Sequence, residues 1–223
     1  MEEKQKKTSE NRVSDFIFKY RVFFLSIIGA LIAVALVIAI VLSVNESANK
    51  KGLAAIDTLT LELTAAQKAE SVDQVKIDSI IEEASKLATG KKGVISVRAY
   101  MLIADIEFQN GDWASSSDAW IKAAEADEKA YTSPLCYYNA GVCFEEMNDL
   151  PKAIENLNKA VSFDNFSLKS RALFNLGRLN EEANHFQEAA DAYTKLNDEF
   201  PSDNWANLGK SRLIILKSEG KIQ

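Results

Sequence analysis

Apart from a polar N-terminal stretch, apolar positions recur along this chain with a helical period. The first apolar feature is continuous: Val22 to Val44, VFFLSIIGALIAVALVIAIVLSV, holds 23 residues and no ionisable group. At a rise of about 1.5 Å per residue it makes roughly 34 Å of helix, enough to cross a hydrocarbon core of about 30 Å. Beyond it, Leu53, Ile56, Thr60 and Leu63 fall at helical spacing, and Ile77, Ile80, Ile81, Ala84, Leu87 and Ala88 do so more strongly. A helical pair over residues 45–93 is predicted, broken near Glu70–Asp73 and ended by the Gly-Lys-Lys-Gly turn at Gly90–Gly93.

From Val97 onward the pattern repeats. Val97–Ala130, Pro134–Ser167 and Ser170–Asp203 each span 34 residues and each reads as helix, polar turn, helix. The turns are Asn110-Gly111-Asp112, Asn148-Asp149 and Asn184-His185, each followed at once by a large apolar residue, Trp113, Leu150 or Phe186. A small residue in the first helix (Ala104, Gly141, Gly177) is answered twelve positions later by another in the second (Ser116, Ala153, Ala189). Facing small residues let two helices approach closely, with Tyr100, Tyr137 and Leu173 packed around the contact. The same unit explains why YYNAG, LFNLG and WANLG recur at Tyr137, Leu173 and Trp205. After Asp203 a fourth unit begins and supplies one helix, a cap for the last apolar face over residues 204–223.

These residues resemble the tetratricopeptide repeat, whose pattern is W-x2-L-G-x2-Y, then Ala, an aromatic, Ala and Pro. Tyr137, Ala140, Gly141, Phe144, Ala153, Leu157 and Ala160 carry the resemblance best, followed by Leu173, Leu176, Gly177, Phe186, Ala189, Tyr193 and Pro201. The first repeat departs further, with Ala104, Glu107 and Glu128 at pattern positions. The resemblance implies an all-α, right-handed helical solenoid: about three repeats over residues 97–203, a degenerate N-terminal helix pair and a capping helix, behind one transmembrane helix.

It also implies that the first helices line a concave, protein-binding groove. That places Met101, Asp105, Phe108, Tyr138, Val142, Glu145, Arg171, Phe174, Arg178 and Glu181 there. Tyr138, Phe174 and Phe108 are then either exposed peptide anchors or packing against neighbouring repeats. The chaperone-binding branch of the family grips a C-terminal carboxylate with Lys and Asn on these faces. Asn139, Asn175 and Arg171 fit part of that clamp, but Met101 and Tyr138 stand where its lysine belongs, so carboxylate capture is not expected.

Composition narrows the function. A formal charge of -6 gives no basic footprint for nucleic acid. Lys4, Lys6, Lys7, Arg12, Lys19 and Arg21 precede the apolar run and only Lys50 and Lys51 closely follow it. Residues 1–21 are therefore read as a short, mostly disordered cytoplasmic tail, 22–44 as an uncleaved signal anchor, and the rest as extracytoplasmic, periplasmic in a two-membrane bacterium. Beyond residue 44 there are 20 basic and 28 acidic residues, a sign that disfavours lying on an anionic bilayer.

Cys136 and Cys143, seven apart on one helix, read as buried packing thiols, and the single His185 as a solvated turn residue. No phosphate loop, nucleophile elbow or zinc motif is present, so no enzyme, cofactor or metal is expected. The layout is similar to the ancillary Sec translocon subunit family and to envelope repeat proteins of the Tol-Pal coordinator type. Other proteins are the expected partners, among them translocon, chaperone or envelope-assembly components. The small pairs Ser26/Ala30 and Gly29/Ala33 in the span permit close helix approach, so a self-associating structural protein is the competing expectation.

Overall fold

The computed structural model describes residues 2–68, 73–90 and 93–223. Among these residues the helices are α1 (Glu2–Lys68), α2 (Gln74–Gly90), α3 (Val94–Asn110), α4 (Trp113–Ala126), α5 (Ser133–Glu146), α6 (Leu150–Val161), α7 (Lys169–Glu182), α8 (Phe186–Glu199) and α9 (Asn204–Ser218), with no strand. Most of the expected Glu70–Asp73 break, and Lys91 and Lys92 of the next turn, lie outside the described residues. The chain forms two compact units, residues 1–51 and 52–223.

In the first unit α1 carries the apolar run. One helix here is long and apolar enough to cross a membrane, its best window reaching a mean hydropathy of 3.2 with none of it buried. The helix begins at Glu2, where a mostly disordered tail was expected. Glu, Lys and Gln are good helix formers, and a stretch that extends an existing helix escapes the cost of nucleation.

In the second unit the residues of α1 beyond Lys51 bury Ile56, Leu59, Leu63 and Ala66. Leu59 takes the inward place that the spacing assigned to Thr60, which is exposed and donates its hydroxyl to the Ile56 carbonyl at 2.8 Å. Gly52 is the point of closest approach to α3, because a Cβ there would run into the Ile95 side chain. Asp73 caps α2, accepting from the Lys76 amide at 3.0 Å. Leu87 of α2 and Tyr100 of α3 pack against the same buried cluster of Ile56, Ala88, Ile95 and Ala99.

Three hairpins follow, α3/α4, α5/α6 and α7/α8, stacked in chain order and closed by α9. Their turns are built alike. Gly111, Asn148 and Asn184 all take positive φ (77, 58 and 63°), the left-handed conformation that Gly and Asn tolerate best. The next amide in each case bonds back to the first helix: Asp112 to Glu107, Asp149 to Phe144, His185 to Asn180, at 3.0, 2.8 and 2.8 Å. Asp112 and Asp149 then cap the second helix by accepting from the Ser115 and Lys152 amides. His185 holds the same position without a side-chain cap and is exposed, as a solvated turn residue should be.

Two of the three predicted small-residue contacts are present. Ser116 donates to the Ala104 carbonyl at 2.8 Å, and a Cβ on Gly141 would sit 3.3 Å from the Ala153 carbonyl oxygen. Gly177 differs: the space beside it is filled by the ring of Tyr193, which is completely buried. Cys136 and Cys143 are likewise fully buried, and Cys143 donates to Ser116 at 3.4 Å. Desolvation pushes the Cys136 thiol up to about 12 and raises Cys143 too, so both stay protonated and inert at neutral pH.

Candidate functional site

Polar side chains of α5, α7 and α9 pair with one another across the stack. Arg178 of α7 donates to Glu145 of α5 at 2.5 Å and reaches Glu182 at 3.5 Å. Arg212 of α9 donates to both oxygens of Glu181, through Nε at 2.9 Å, and Tyr193 donates to the same carboxylate at 2.6 Å. Asn175 donates to the Tyr138 hydroxyl at 3.0 Å. These contacts join α5, α7 and α9 into one polar wall that carries Glu145, Arg178 and Glu181 of the expected groove set.

Electrostatics follow from this pairing. Burial works against charge on Glu181, but hydrogen bonds from Arg212 and Tyr193 outweigh it and hold the carboxyl below the ordinary range. Asp105 behaves oppositely. Its carboxyl is raised by desolvation alone, although the residue stays exposed and has no hydrogen-bond or ion-pair partner among the described residues.

The three aromatics resolve toward packing. Tyr138 is only 5% exposed, with Phe166 at 6.1 Å between ring centroids. Phe174 is half-buried against Tyr193 and Trp205, at 5.8 and 5.2 Å, and Phe108 stacks edge-on with Trp113 at 4.8 Å. None of the three is the open anchor that one sequence reading allowed. The residues that cover them, Phe166 and Trp205, were not singled out as site residues, because they lie in the connection after α6 and in the cap. Met101 and Val142 are half-buried and packed against the core in the same way, whereas Asp105 and Arg171 are exposed. The Arg171 guanidinium stands 5.9 Å from the Tyr138 ring and 5.8 Å from the Trp205 ring.

Residues 138–204 match the family model of the tetratricopeptide repeat. This segment is similar to tetratricopeptide repeats. The chain is 31% identical over 149 residues to a TPR repeat-containing protein of Treponema pallidum (strain Nichols), covering 66% of this chain and 62% of that one. It thus spans less than two thirds of that relative's length. Among solved structures it is similar to MamA, with a TM-score of 0.48 and 17% identity over 66% of this chain and 81% of that one. The Arabidopsis OM64 TPR domain gives 0.43 and 19%, covering 53% and 93%.

Tetratricopeptide repeats serve as scaffolds for contact between proteins. In the described residues the charged side chains of α5, α7 and α9 brace one another.

Proposed function

We propose that this protein is a membrane-anchored scaffold that holds a partner polypeptide on the face formed by α3, α5 and α7. The observation that supports it best is the contrast on that face. Half-buried apolar side chains, Met101, Phe108, Val142 and Phe174, lie on α3, α5 and α7 together with the exposed Asp105 and Arg171. The apolar run of α1 is the anchor, and the excess of Lys and Arg ahead of it sets the repeats outside the cytoplasm, in the periplasm of a two-membrane envelope. A role beside translocation or envelope-assembly machinery follows from that placement.

Two experiments test this. A reporter that is active only in the cytoplasm, fused after Gln223, is expected to be silent in cells; an active fusion reverses the orientation. Crosslinking in intact membranes is expected to join the wild-type chain to a discrete partner, and Val142→Lys to reduce that product at least fivefold while the helical spectrum and melting temperature hold. An undiminished product places the contact elsewhere on the chain. Sizing the detergent-solubilised full chain addresses the competing structural role, because self-association through the span requires a dimer or larger species.

A further inference from the structure

Between α8 and α9 lies a crevice of about 490 Å³, lined by none of the charged pairs that join α5, α7 and α9. Its α9 wall is Lys210, Leu213, Ile214 and Lys217, the i, i+3, i+4, i+7 spacing of one helix face. Its α8 wall includes Ala190 and Thr194. Leu213 and Ile222 of the lining pack against the buried Ala189, Tyr193 and Leu216, whereas Ile214 is 69% exposed. One apolar side chain of the α9 seam is thus fixed by the core and the next is uncovered.

One repeat earlier the same face has a second helix beside it. Ile154 and Asn158 of α6 precede Ala190 and Thr194 by 36 residues, the interval between the small residues Ala153 and Ala189. They share a crevice with Glu188, Ala192 and Lys195 of α8. Ala190 and Thr194 share theirs with α9, Ile222 and Gln223, and among the described residues no further second helix stands there. The repeat therefore indicates what fits the place: a helix lying beside α8 as α8 lies beside α6. A helix brings its backbone hydrogen bonds with it, so it needs only side-chain contacts from the walls. Charge gives that helix its character. Lys210 and Lys217 flank Ile214, are exposed, and have no ion-pair or hydrogen-bond partner among the described residues. Arg178, Arg212 and Lys221 are all paired. Asp191, the acid of the α8 wall, accepts from Gln187 at 2.9 Å. The α9 rim is therefore positive.

We propose that the crevice between α8 and α9 is a second docking site, which takes an amphipathic helix of a partner protein with acidic residues along the flank that meets α9. The apolar side chains of that helix pack on Ala190, Leu213 and Ile214, and its carboxylates pair with Lys210 and Lys217. The site is independent of the α3, α5 and α7 face proposed above, and the two can be tested apart.

Three fluorescein-labelled peptides of about 15 residues, long enough to hold a helix, test this. One has Leu at i, i+3, i+4 and i+7 with Glu beside the seam, one has Lys in place of the Glu, and one is a scramble of the first. Binding to the full chain in nanodiscs of zwitterionic lipid is read by anisotropy, with empty nanodiscs as the blank. The Glu helix is expected to bind about ten times more tightly than either of the others. Lys210→Glu combined with Lys217→Glu should move the preference to the Lys helix, a reversal that loss of structure cannot produce. Ile214→Ser should weaken binding of the Glu helix by about fivefold. Equal affinities for the Glu and Lys helices, or no binding by any of the three, overturn the proposal. Val142→Lys keeps the two sites distinguishable: it should leave binding of the Glu helix unchanged. A loss in that variant would put the helix on the α3, α5 and α7 face and overturn the site between α8 and α9.

Discussion

Gly177→Ala is expected to destabilise the solenoid by about 2 kcal/mol net and to lower its melting temperature by about 4–8 °C. The sign is not obvious, because Ala in a helix interior is intrinsically better than Gly by about 1 kcal/mol. Sterics decide it. A Cβ on Gly177 would lie 2.6 and 2.7 Å from Cζ and Cδ1 of Tyr193, and closer still to Cε1. That ring cannot step aside: Tyr193 is fully buried and its hydroxyl is bonded to Glu181, which Arg212 grips in turn. Overpacking such a site costs about 3 kcal/mol, more than propensity returns.

The neighbouring glycines provide the control. A Cβ on Gly141 would meet Leu157 and the Ala153 carbonyl at 3.2 to 3.3 Å, and one on Gly209 would meet Leu196 and Tyr193 at 3.3 to 3.6 Å. Both need a shift of only a few tenths of an ångström, so Gly141→Ala and Gly209→Ala should stay within about 1 kcal/mol of wild type. In a Tyr193→Leu background, where the ring is gone, Gly177→Ala should add less than about 1 kcal/mol. Equal melting shifts for all three glycines would refute the ring-blocking account.

Much of the hairpin geometry was legible because it is local. The turn positions, two of the small-residue contacts and the inward face of Cys136 and Cys143 depend on residues a few positions apart, or on one hairpin of fixed length. The site was less legible because it depends on what distant segments bring to it. Tyr138 and Phe174 occupy the row expected for the groove. Their openness was decided by Phe166 and Trp205, whose positions depend on how the connection after α6 and the cap happen to lie.

The cap itself shows the same limit. WANLG reads as a fourth first helix, yet Gly209 meets Leu196 and Tyr193 of the preceding hairpin. The helix also leans on α7 through Phe174 and Glu181. Which groove charges remained free was equally hidden, because pairs such as Glu145–Arg178 and Glu181–Arg212 join residues 33 and 31 positions apart.

Arg212→Met is expected to loosen that cap, at a cost of about 2 kcal/mol, and to change how stability depends on acid. Glu181 has a side chain only 10% exposed, so removing its cation leaves a nearly buried carboxylate with Tyr193 as its remaining donor. Breaking a fully buried pair costs about 3–5 kcal/mol; Arg212 is 42% exposed, and water there reduces the figure. Because the folded pKa of Glu181 is depressed, the unfolded chain takes up its proton first as pH falls. The stabilisation from this carboxylate is therefore complete above the ordinary glutamate value of 4.5 and is lost as pH drops through the lower folded value.

Asp105 and Glu107 are raised by desolvation and act in the opposite direction, so the informative quantity is the difference between wild type and variant. That difference should be largest at neutral pH and shrink below about 4.5, while amides of residues 204–218 exchange faster in the variant at neutral pH. A difference that stays constant from pH 7 to pH 3 would mean that Arg212 acts through packing of its stem and not through the charge on Glu181.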